Sequence, residues 1–106
     1  MPERISPQEG KARYDAGESL FVDIRDPHSF ANGHLGGAVH LSNANVDQFL
    51  ADTDKTRPLV IYCYHGNSSQ GAADWLTEQG FQAVSLDGGY EVFKQQFPDT
   101  LEAPDA

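Results

Sequence analysis

The single cysteine of the chain, Cys63, follows the apolar run Leu59–Tyr62 and precedes a loop of small and polar residues. A thiolate is a strong nucleophile, and its pKa falls where backbone N–H groups and a helix N-terminus converge on the sulfur. The run before Cys63 predicts a buried strand, and the Gly66–Ser69 segment after it is typical of a turn that starts a helix. Cys63 is therefore predicted to stand at the carboxyl end of a strand, where open α/β sheets bind their ligands.

The six residues after Cys63 form the candidate substrate-binding set, which is Tyr64, His65, Gly66, Asn67, Ser68 and Ser69. Gly66 and Asn67 belong to residue types that tolerate positive φ, so successive N–H groups can face inward as an anion-binding nest. The hydroxyls of Ser68 and Ser69 add further donors. Such a loop stabilises a thiolate, a persulfide Cys–S–S⁻ or the charge that develops on an attacked anion. Tyr64 is expected at the mouth of the site, as a substrate contact or as packing.

Other uses of a lone cysteine stay open on these grounds alone. A free cysteine is often a small buried apolar residue with no chemical role. A phosphatase loop needs Arg after five intervening residues, and that position is Ser69. A disulfide oxidoreductase needs a second cysteine, and a zinc site at Cys63 and His65 lacks further ligands at supporting spacing.

The length and composition of the chain favour one small domain spanning residues 1–106. A domain of this size buries roughly two thirds of the surface of its unfolded chain, enough for a hydrophobic core. The first residues have neither a basic leader nor an apolar signal segment, and one cysteine forms no internal disulfide, so a reducing cytoplasm is expected. No apolar run approaches the ~18 to 20 residues that span a bilayer.

The charge of the chain is strongly acidic, with sixteen Asp and Glu against seven Lys and Arg and a formal net charge of -9. Nucleic-acid phosphates and anionic membrane surfaces are repelled by such a field. Neither partner is expected. Any site for a small anion must then be built locally from backbone dipoles.

Helix and strand signals alternate along the chain and predict an α/β fold, a parallel sheet with helices on both faces. The first half of the chain is predicted to form a helix from Ser6 to about Ala16 capped by Gly17, a strand at Leu20–Ile24 and a short helix opened by Asp26 and Pro27. A glycine-rich loop at 32–37, a short strand at 38–41 and a helix capped by Ser42 or Asn43 are predicted to follow. The second half is predicted to form the strand before Cys63, a helix from Ser68 to Gln79, a strand at Phe81–Leu86 and a last helix carrying Tyr90, Phe93 and Phe97. Trp75, Phe93 and Phe97 are expected in the core, and residues 99–106 are expected to fray.

Other polar residues are interpreted first as scaffold. Asp23 and Arg25 lie at a strand outlet, where an ion pair that holds the scaffold is the simpler interpretation. His34 stands near glycines and is expected to fix its loop by a hydrogen bond. His28 is expected to be solvated and His40 to be a satisfied core residue. A part in catalysis stays open for Asp23, Arg25 and His34.

Three segments together resemble one known family. They are Leu20–His34, with an acidic strand end, Arg, an acidic residue and a later Gly-His; Cys63–Ser69, an active-site loop; and Asp87–Phe93, a closing Gly-Gly-aromatic signature with Phe93 where Trp is more usual. In this order and spacing the chain resembles the rhodanese (thiosulfate sulfurtransferase) family, and especially its single-domain bacterial GlpE-type branch. The resemblance implies a mostly parallel five-stranded sheet with helices on both faces.

The same resemblance implies sulfur transfer by double displacement. Cys63 thiolate takes the sulfane sulfur of a small anionic donor such as thiosulfate, and a persulfide on Cys63 then passes it to an acceptor. Cyanide is the family's assay acceptor, and a thiol such as thioredoxin is the expected cellular one. No cofactor or metal is expected, and the protein is expected to be a monomer or a homodimer. The alternative is a non-catalytic interaction or redox-sensing module, although such relatives usually lack the cysteine.

The active loop departs from many family members because it carries no Arg or Lys. Tyr64, His65 and Ser68 stand where a fixed positive charge is common in the family. Donor recognition then depends on backbone N–H groups, on hydroxyls and on His65 when it is protonated. Weak apparent affinity for thiosulfate is expected.

Overall fold

The computed structural model describes residues 3–102, in which helices and strands alternate. In chain order the elements are β1 (Glu3–Ile5), α1 (Pro7–Ala16), β2 (Leu20–Asp23), α2 (Pro27–Asn32), β3 (His34–Leu35), β4 (Val39–His40), α3 (Val46–Asp52), β5 (Leu59–Tyr62), α4 (Ser68–Glu78), β6 (Ala83–Leu86), α5 (Gly89–Gln96), a 3-10 helix (Pro98–Thr100) and β7 (Leu101–Glu102). The predicted α/β class is confirmed.

Five strands form one sheet in the order β1-β6-β5-β2-β4, and every pair in it is parallel. The central strand, β5, is fully buried along its length. Its side chains alternate between two cores: Val60 and Tyr62 pack on the side of α1 and α5, and Leu59 and Ile61 on the side of α3 and α4. A strand covered on both faces needs apolar residues at every position, which explains the continuous run in the sequence.

α1 and α2 begin where the sequence predicts. The Ser6 hydroxyl accepts a hydrogen bond from the Glu9 N–H at 3.1 Å, and Gly17 ends α1 with φ 73°. The Asp26 carboxylate accepts from the Ser29 N–H at 3.1 Å and caps α2. These caps satisfy N–H groups that have no partner within their helix. The cap at Asp26 thus starts α2 shortly after the carboxyl end of β2.

The predictions of a loop at 32–37 and of a frayed tail are partly wrong. β3 lies within residues 32–37 and pairs antiparallel with β7. Leu35 is fully buried there, and the Gly36 N–H donates to a carbonyl of the tail at 2.7 Å. Burial of an apolar side chain and backbone pairing therefore order residues 99–102. Residues 103–106 lie outside the described part of the chain.

α3 begins at Val46, two or three residues later than a cap at Ser42 or Asn43 predicts. The Asn45 side chain explains the delay, because its Oδ1 accepts from the Ser42 N–H and its Nδ2 donates to the His40 carbonyl, both at 2.8 Å. These bonds hold the segment before α3 in a turn, since Asn side chains compete with the helix for backbone partners.

Trp75 lies on the solvent side of α4 with 40% of its surface exposed, so its predicted place in the core is wrong. α4 instead turns Ser69, Ala73 and Leu76 toward the sheet. The small side chains of Ser69 and Ala73 let the helix approach the sheet closely, and Trp75 stands outside that contact. Phe93, also predicted in the core, is fully buried, and Phe97 is partly buried against the same core.

Within residues 3–102, no helix has both the length and the apolar character needed to cross a membrane. The longest of these helices, α4, has 11 residues.

Candidate active site

Cys63 directly follows β5 at the carboxyl edge of the sheet, and a loop of four residues leads from it to α4. The first turn of α5 holds this loop from the other side. The Tyr90 N–H donates to the Cys63 carbonyl at 2.8 Å, and the Glu91 N–H donates to the Tyr64 carbonyl at 3.0 Å. α5 has no side-chain cap, so the cysteine loop satisfies donors at its N-terminus.

Two glycines permit this close approach. A Cβ on Gly89 would lie 2.4 Å from the Cys63 carbonyl oxygen, closer than real Cβ contacts. Gly66 has φ 91°, a left-handed conformation that side chains rarely adopt, and a Cβ there would lie 2.9 Å from the Gly88 nitrogen. The path of the loop around the sulfur therefore requires glycine at both positions.

Hydrogen-bond donors surround the sulfur of Cys63, and the residue as a whole is 8% exposed. The N–H groups of Gly66 and Ser69 donate to Sγ at 3.2 and 3.4 Å. The Ser69 hydroxyl lies 3.4 Å from Sγ. We call these groups the sulfur cradle. Backbone N–H groups of the loop therefore point at the cysteine sulfur.

The sulfur cradle lowers the pKa of the thiol. Burial raises the pKa of Cys63, but hydrogen bonds from the Ser69 hydroxyl and from the N–H groups of Ser69, Gly66 and His65 outweigh it. The pKa of Cys63 therefore lies below its ordinary value. The folded loop favours the thiolate, which is the nucleophilic form.

The open side of Cys63 faces a cleft of about 230 Å³, lined by Ile24, Arg25, Asp26, Cys63, Tyr64, His65, Asn67 and Ser68. A larger cavity of about 740 Å³ lies at the opposite, amino-terminal edge of the sheet, among residues such as Ser19, Pro58 and Gln82. The smaller cleft is the candidate site because it alone of the two contains the cysteine. Its size suits a small molecule.

The predicted substrate-binding residues divide into three groups. Tyr64, His65, Asn67 and Ser68 line the cleft and are exposed. Gly66 lies beside the sulfur. Ser69 is fully buried beneath Cys63 rather than in the cleft.

Asn67 differs from its prediction, because its φ is -89° and only Gly66 in the loop has positive φ. The Tyr64 hydroxyl donates to the Ser29 hydroxyl at 2.6 Å, across the mouth of the cleft, and 40% of Tyr64 is exposed. Direct substrate contact by any of these residues stays a prediction. Their placement makes such contact available to the four that line the cleft.

Asp23 and Arg25 form the buried ion pair that the sequence suggests, with Arg25 Nη2 2.7 Å from Asp23 Oδ2. Arg25 also donates to the Gly33 carbonyl, and its guanidinium lies 3.8 Å from the ring centroid of Tyr90. Burial lowers the pKa of Arg25, but the hydrogen bond and charge of Asp23 raise it above the ordinary value. Arg25 therefore lines the cleft as a charge already compensated by Asp23.

His34 holds its segment as predicted, since its Nδ1 lies 2.8 Å from the Phe30 carbonyl and its ring stacks on Phe30 with centroids 3.9 Å apart. Among residues 3–102, no group of three or more His, Cys, Asp and Glu side chains is arranged to hold a metal ion.

Sequence reasoning missed Ser85 and the cleft residue Ile24. Ser85 is fully buried in β6, and its hydroxyl lies 2.8 Å from the hydroxyl of Ser69. One signal was available, because Ser85 is the polar residue within an otherwise apolar strand. Ile24 has no comparable signal, since apolar residues at strand ends are common.

Comparisons with known proteins agree with this geometry. A model of the rhodanese-like domain family matches residues 6–96. The thiosulfate sulfurtransferase GlpE of Stutzerimonas stutzeri (strain A1501) is 50% identical over 100 residues, which cover 93% of this chain and 91% of that protein. The solution structure of a rhodanese-like domain from Anabaena sp. has a TM-score of 0.82 and 25% identity, covering 98% of this chain and 81% of that one. A rhodanese-like domain protein from Staphylococcus aureus has a TM-score of 0.81 and 22% identity, covering 97% and 99%.

Proposed function

The chain belongs to the rhodanese-like domain family, and we propose that it is a thiosulfate sulfurtransferase that works through a persulfide on Cys63. The single observation that carries the proposal is the sulfur cradle, which stabilises negative charge on the cysteine at the base of a small cleft. Covalent catalysis by a cysteine requires both features, an activated thiolate and room for the donor.

In the first step, the Cys63 thiolate attacks the outer sulfur of thiosulfate. A bond forms between Cys63 Sγ and that sulfur, the sulfur–sulfur bond of thiosulfate breaks, and its electron pair leaves with sulfite. Charge is conserved, because one thiolate and a dianion become one persulfide and a dianion. The N–H groups of Gly66 and Ser69 offset negative charge at Cys63 before and after the transfer.

In the second step, a nucleophile attacks the outer sulfur of the persulfide. The bond to Cys63 Sγ breaks, and its electron pair returns to the cysteine as the thiolate. Cyanide becomes thiocyanate in this way, and a thiolate acceptor becomes a persulfide. We propose a thiol acceptor, with thioredoxin as the first to test, in a cytoplasmic monomer or homodimer without a cofactor.

Donor binding is proposed to be weak. Within residues 3–102, the guanidinium that lines the cleft is that of Arg25, and Asp23 compensates its charge. The chain as a whole carries a formal net charge of -9. Attraction of a dianion then depends on backbone donors and on the exposed polar residues of the loop. A high KM for thiosulfate, with a faster reaction at higher ionic strength, is the expected result.

Mass spectrometry of the intact protein tests the proposal. After incubation with thiosulfate and desalting, the wild type should gain one sulfur atom, and the gain should disappear on addition of cyanide with release of thiocyanate. Cys63→Ala is the control and should gain nothing. No gain in the wild type, or an equal gain in Cys63→Ala, would contradict the proposal, and the non-catalytic interaction module would then be the better account.

A further inference from the structure

A pair of buried serine hydroxyls extends from the catalytic sulfur into the protein. Cys63 Sγ lies 3.4 Å from Ser69 Oγ, which lies 2.8 Å from Ser85 Oγ. Ser69 and Ser85 are both fully buried, and they come from α4 and β6. The three groups thus form a hydrogen-bonded chain that leads away from the cleft.

The direction of the two hydrogen bonds follows from counting hydrogens. Each hydroxyl carries one hydrogen and accepts others. In the thiol form, the Cys63 S–H donates to Ser69 Oγ. In the thiolate form, the sulfur only accepts, and if Ser85 donates to Ser69 and Ser69 donates to Cys63, both hydroxyl hydrogens have acceptors. If the direction is reversed, the Ser85 hydrogen needs an acceptor other than Ser69. Within residues 3–102, the one hydrogen bond that the Ser85 hydroxyl makes is with Ser69. Because an unsatisfied buried hydroxyl is costly, the first direction is favoured.

The favoured direction suits the ionised sulfur. A thiolate accepts hydrogen bonds and donates none, so the Ser69 hydroxyl can donate to it without competition from a thiol hydrogen. When the thiol loses its proton, it no longer donates to Ser69 Oγ, and the Ser69 hydroxyl turns its own hydrogen toward the sulfur. Hydrogen bonds in series also polarise one another, so donation by Ser85 strengthens donation by Ser69.

We propose that Ser85 is a positioning residue, which directs the Ser69 hydroxyl at Cys63 Sγ and thereby stabilises the negative sulfur. Ser85 does not line the cleft, and its hydroxyl bonds to Ser69, so it acts on the sulfur through Ser69. The proposal rests on the proposed function for its catalytic meaning, because a sulfur-transfer enzyme uses the same thiolate as its nucleophile.

The test measures the pKa of Cys63 from the pH dependence of its alkylation by iodoacetamide, followed by intact mass. Ser69→Ala removes a hydrogen bond to a charged group and should raise the pKa by about one unit. Ser85→Ala should raise it by roughly 0.3 to 0.5 unit, a two- to three-fold loss of thiolate at pH values below the pKa. In the Ser69→Ala background, Ser85→Ala should have no further effect.

Two shape-matched variants guard against a folding defect in Ser85→Ala. Ser85→Thr keeps the hydroxyl and should retain the wild-type pKa of Cys63. Ser85→Val has the shape of threonine without the hydroxyl and should behave as Ser85→Ala. Ser19→Ala, at the other edge of the sheet, is the control and should change nothing. Urea unfolding gives the free energy of unfolding of each variant and thus shows whether it is folded under the conditions of the assay.

The proposal is overturned if Ser85→Ala and Ser85→Val leave the pKa unchanged. It is also overturned if Ser85→Ala shifts the pKa equally with and without Ser69, since Ser85 would then act by distorting the site. Alkylation requires no sulfur donor, so these outcomes are independent of persulfide formation. If the proposed function is wrong, the protein will not react with thiosulfate, and the pH profile of its alkylation will be unaffected by that failure.

Discussion

The Cys63 loop and the Arg25 guanidinium line the same cleft, and both place positive charge beside it. In the loop, the charge is the partial charge of backbone N–H groups, and it points at the sulfur from 3.2 and 3.4 Å. In Arg25 it is a full charge, but the guanidinium is bound to Asp23 at 2.7 Å and is only 3% exposed. The guanidinium has the larger formal charge, but Asp23 neutralises it, so it attracts an anionic substrate less.

This difference shows that compensation, rather than formal charge, determines which group acts on an anion. Asp23 and Arg25 hold the carboxyl end of β2 to the segment at Gly33, so they shape the wall of the cleft. The loop donors have no carboxylate partner and remain available to the sulfur. We therefore assign the ion pair to stability and the sulfur cradle to reactivity, and the two assignments can be separated by mutation.

The largest expected effect is on the ion pair. Asp23→Asn leaves a buried guanidinium without its counter-charge and should lower the free energy of unfolding by about 3 to 5 kcal/mol. Urea denaturation measures the loss, and thiosulfate-dependent persulfide formation in the folded fraction should change much less than stability does. A variant that stays as stable as the wild type but loses its reactivity would reverse the two assignments.

A smaller effect, on reactivity, is expected from deforming the loop. Gly66→Val places a side chain at φ 91° and against the Gly88 nitrogen, so the N–H groups should turn away from Sγ. Displacement of reacting groups by about 1 Å costs on the order of 100-fold in rate. Persulfide formation measured by intact mass should therefore fall by about that factor.

Gly71→Val is the matched control, because Gly71 lies in α4 and a Cβ there meets no atom within 4 Å. It should keep wild-type reactivity. If Gly66→Val is folded by circular dichroism and reacts as fast as this control, the loop backbone does not stabilise the sulfur.

The stability of the fold should depend on pH through Cys63. Because the pKa of this thiol is lowered on folding, the unfolded chain binds more protons at pH values between the two pKa values. The thiolate contribution is complete above the pKa of the unfolded thiol, about 8.5, and is lost as pH falls through the folded value. The free energy of unfolding of the wild type, minus that of Cys63→Ala, should thus rise with pH and level off near pH ~8.5; a flat difference would contradict the lowered pKa.

The smallest effect is expected at Tyr64. Tyr64→Phe removes the hydrogen bond to Ser29 but keeps the ring, and an exposed hydrogen bond of this kind contributes about 0.5 to 1.5 kcal/mol. If Tyr64 only packs at the mouth of the cleft, kcat and KM for thiosulfate should both stay within about three-fold of the wild type. A rise in KM alone beyond that range would indicate substrate contact.

The main elements were predictable because their signals are local. The cap at Ser6, the short helix at Asp26 and the apolar run before Cys63 each determine their own structure through hydrogen bonds or burial. The strand before Cys63 and the glycine after it were enough to predict the place of the thiol. The cradle follows from those two features once the chain folds around the sulfur.

The parts that were missed depend on partners far away in sequence. β1 has one buried apolar residue, Ile5, and is a strand because β6 pairs with it. β3 and β7 exist only as a pair, 65 or more residues apart, and neither has strand character alone. Ser85 approaches Ser69 because α4 turns its small residues toward the sheet, and no local pattern encodes that rotation.

The most direct test of the account compares the pKa of the Cys63 thiol in the native protein with the pKa in the same chain unfolded in urea. Rates of alkylation by iodoacetamide over a range of pH give both values. The account predicts a native pKa clearly below the unfolded one, because the loop donors outweigh the effect of burial. A native pKa equal to or above the unfolded value would mean that burial dominates, and the sulfur cradle would then not be the source of reactivity.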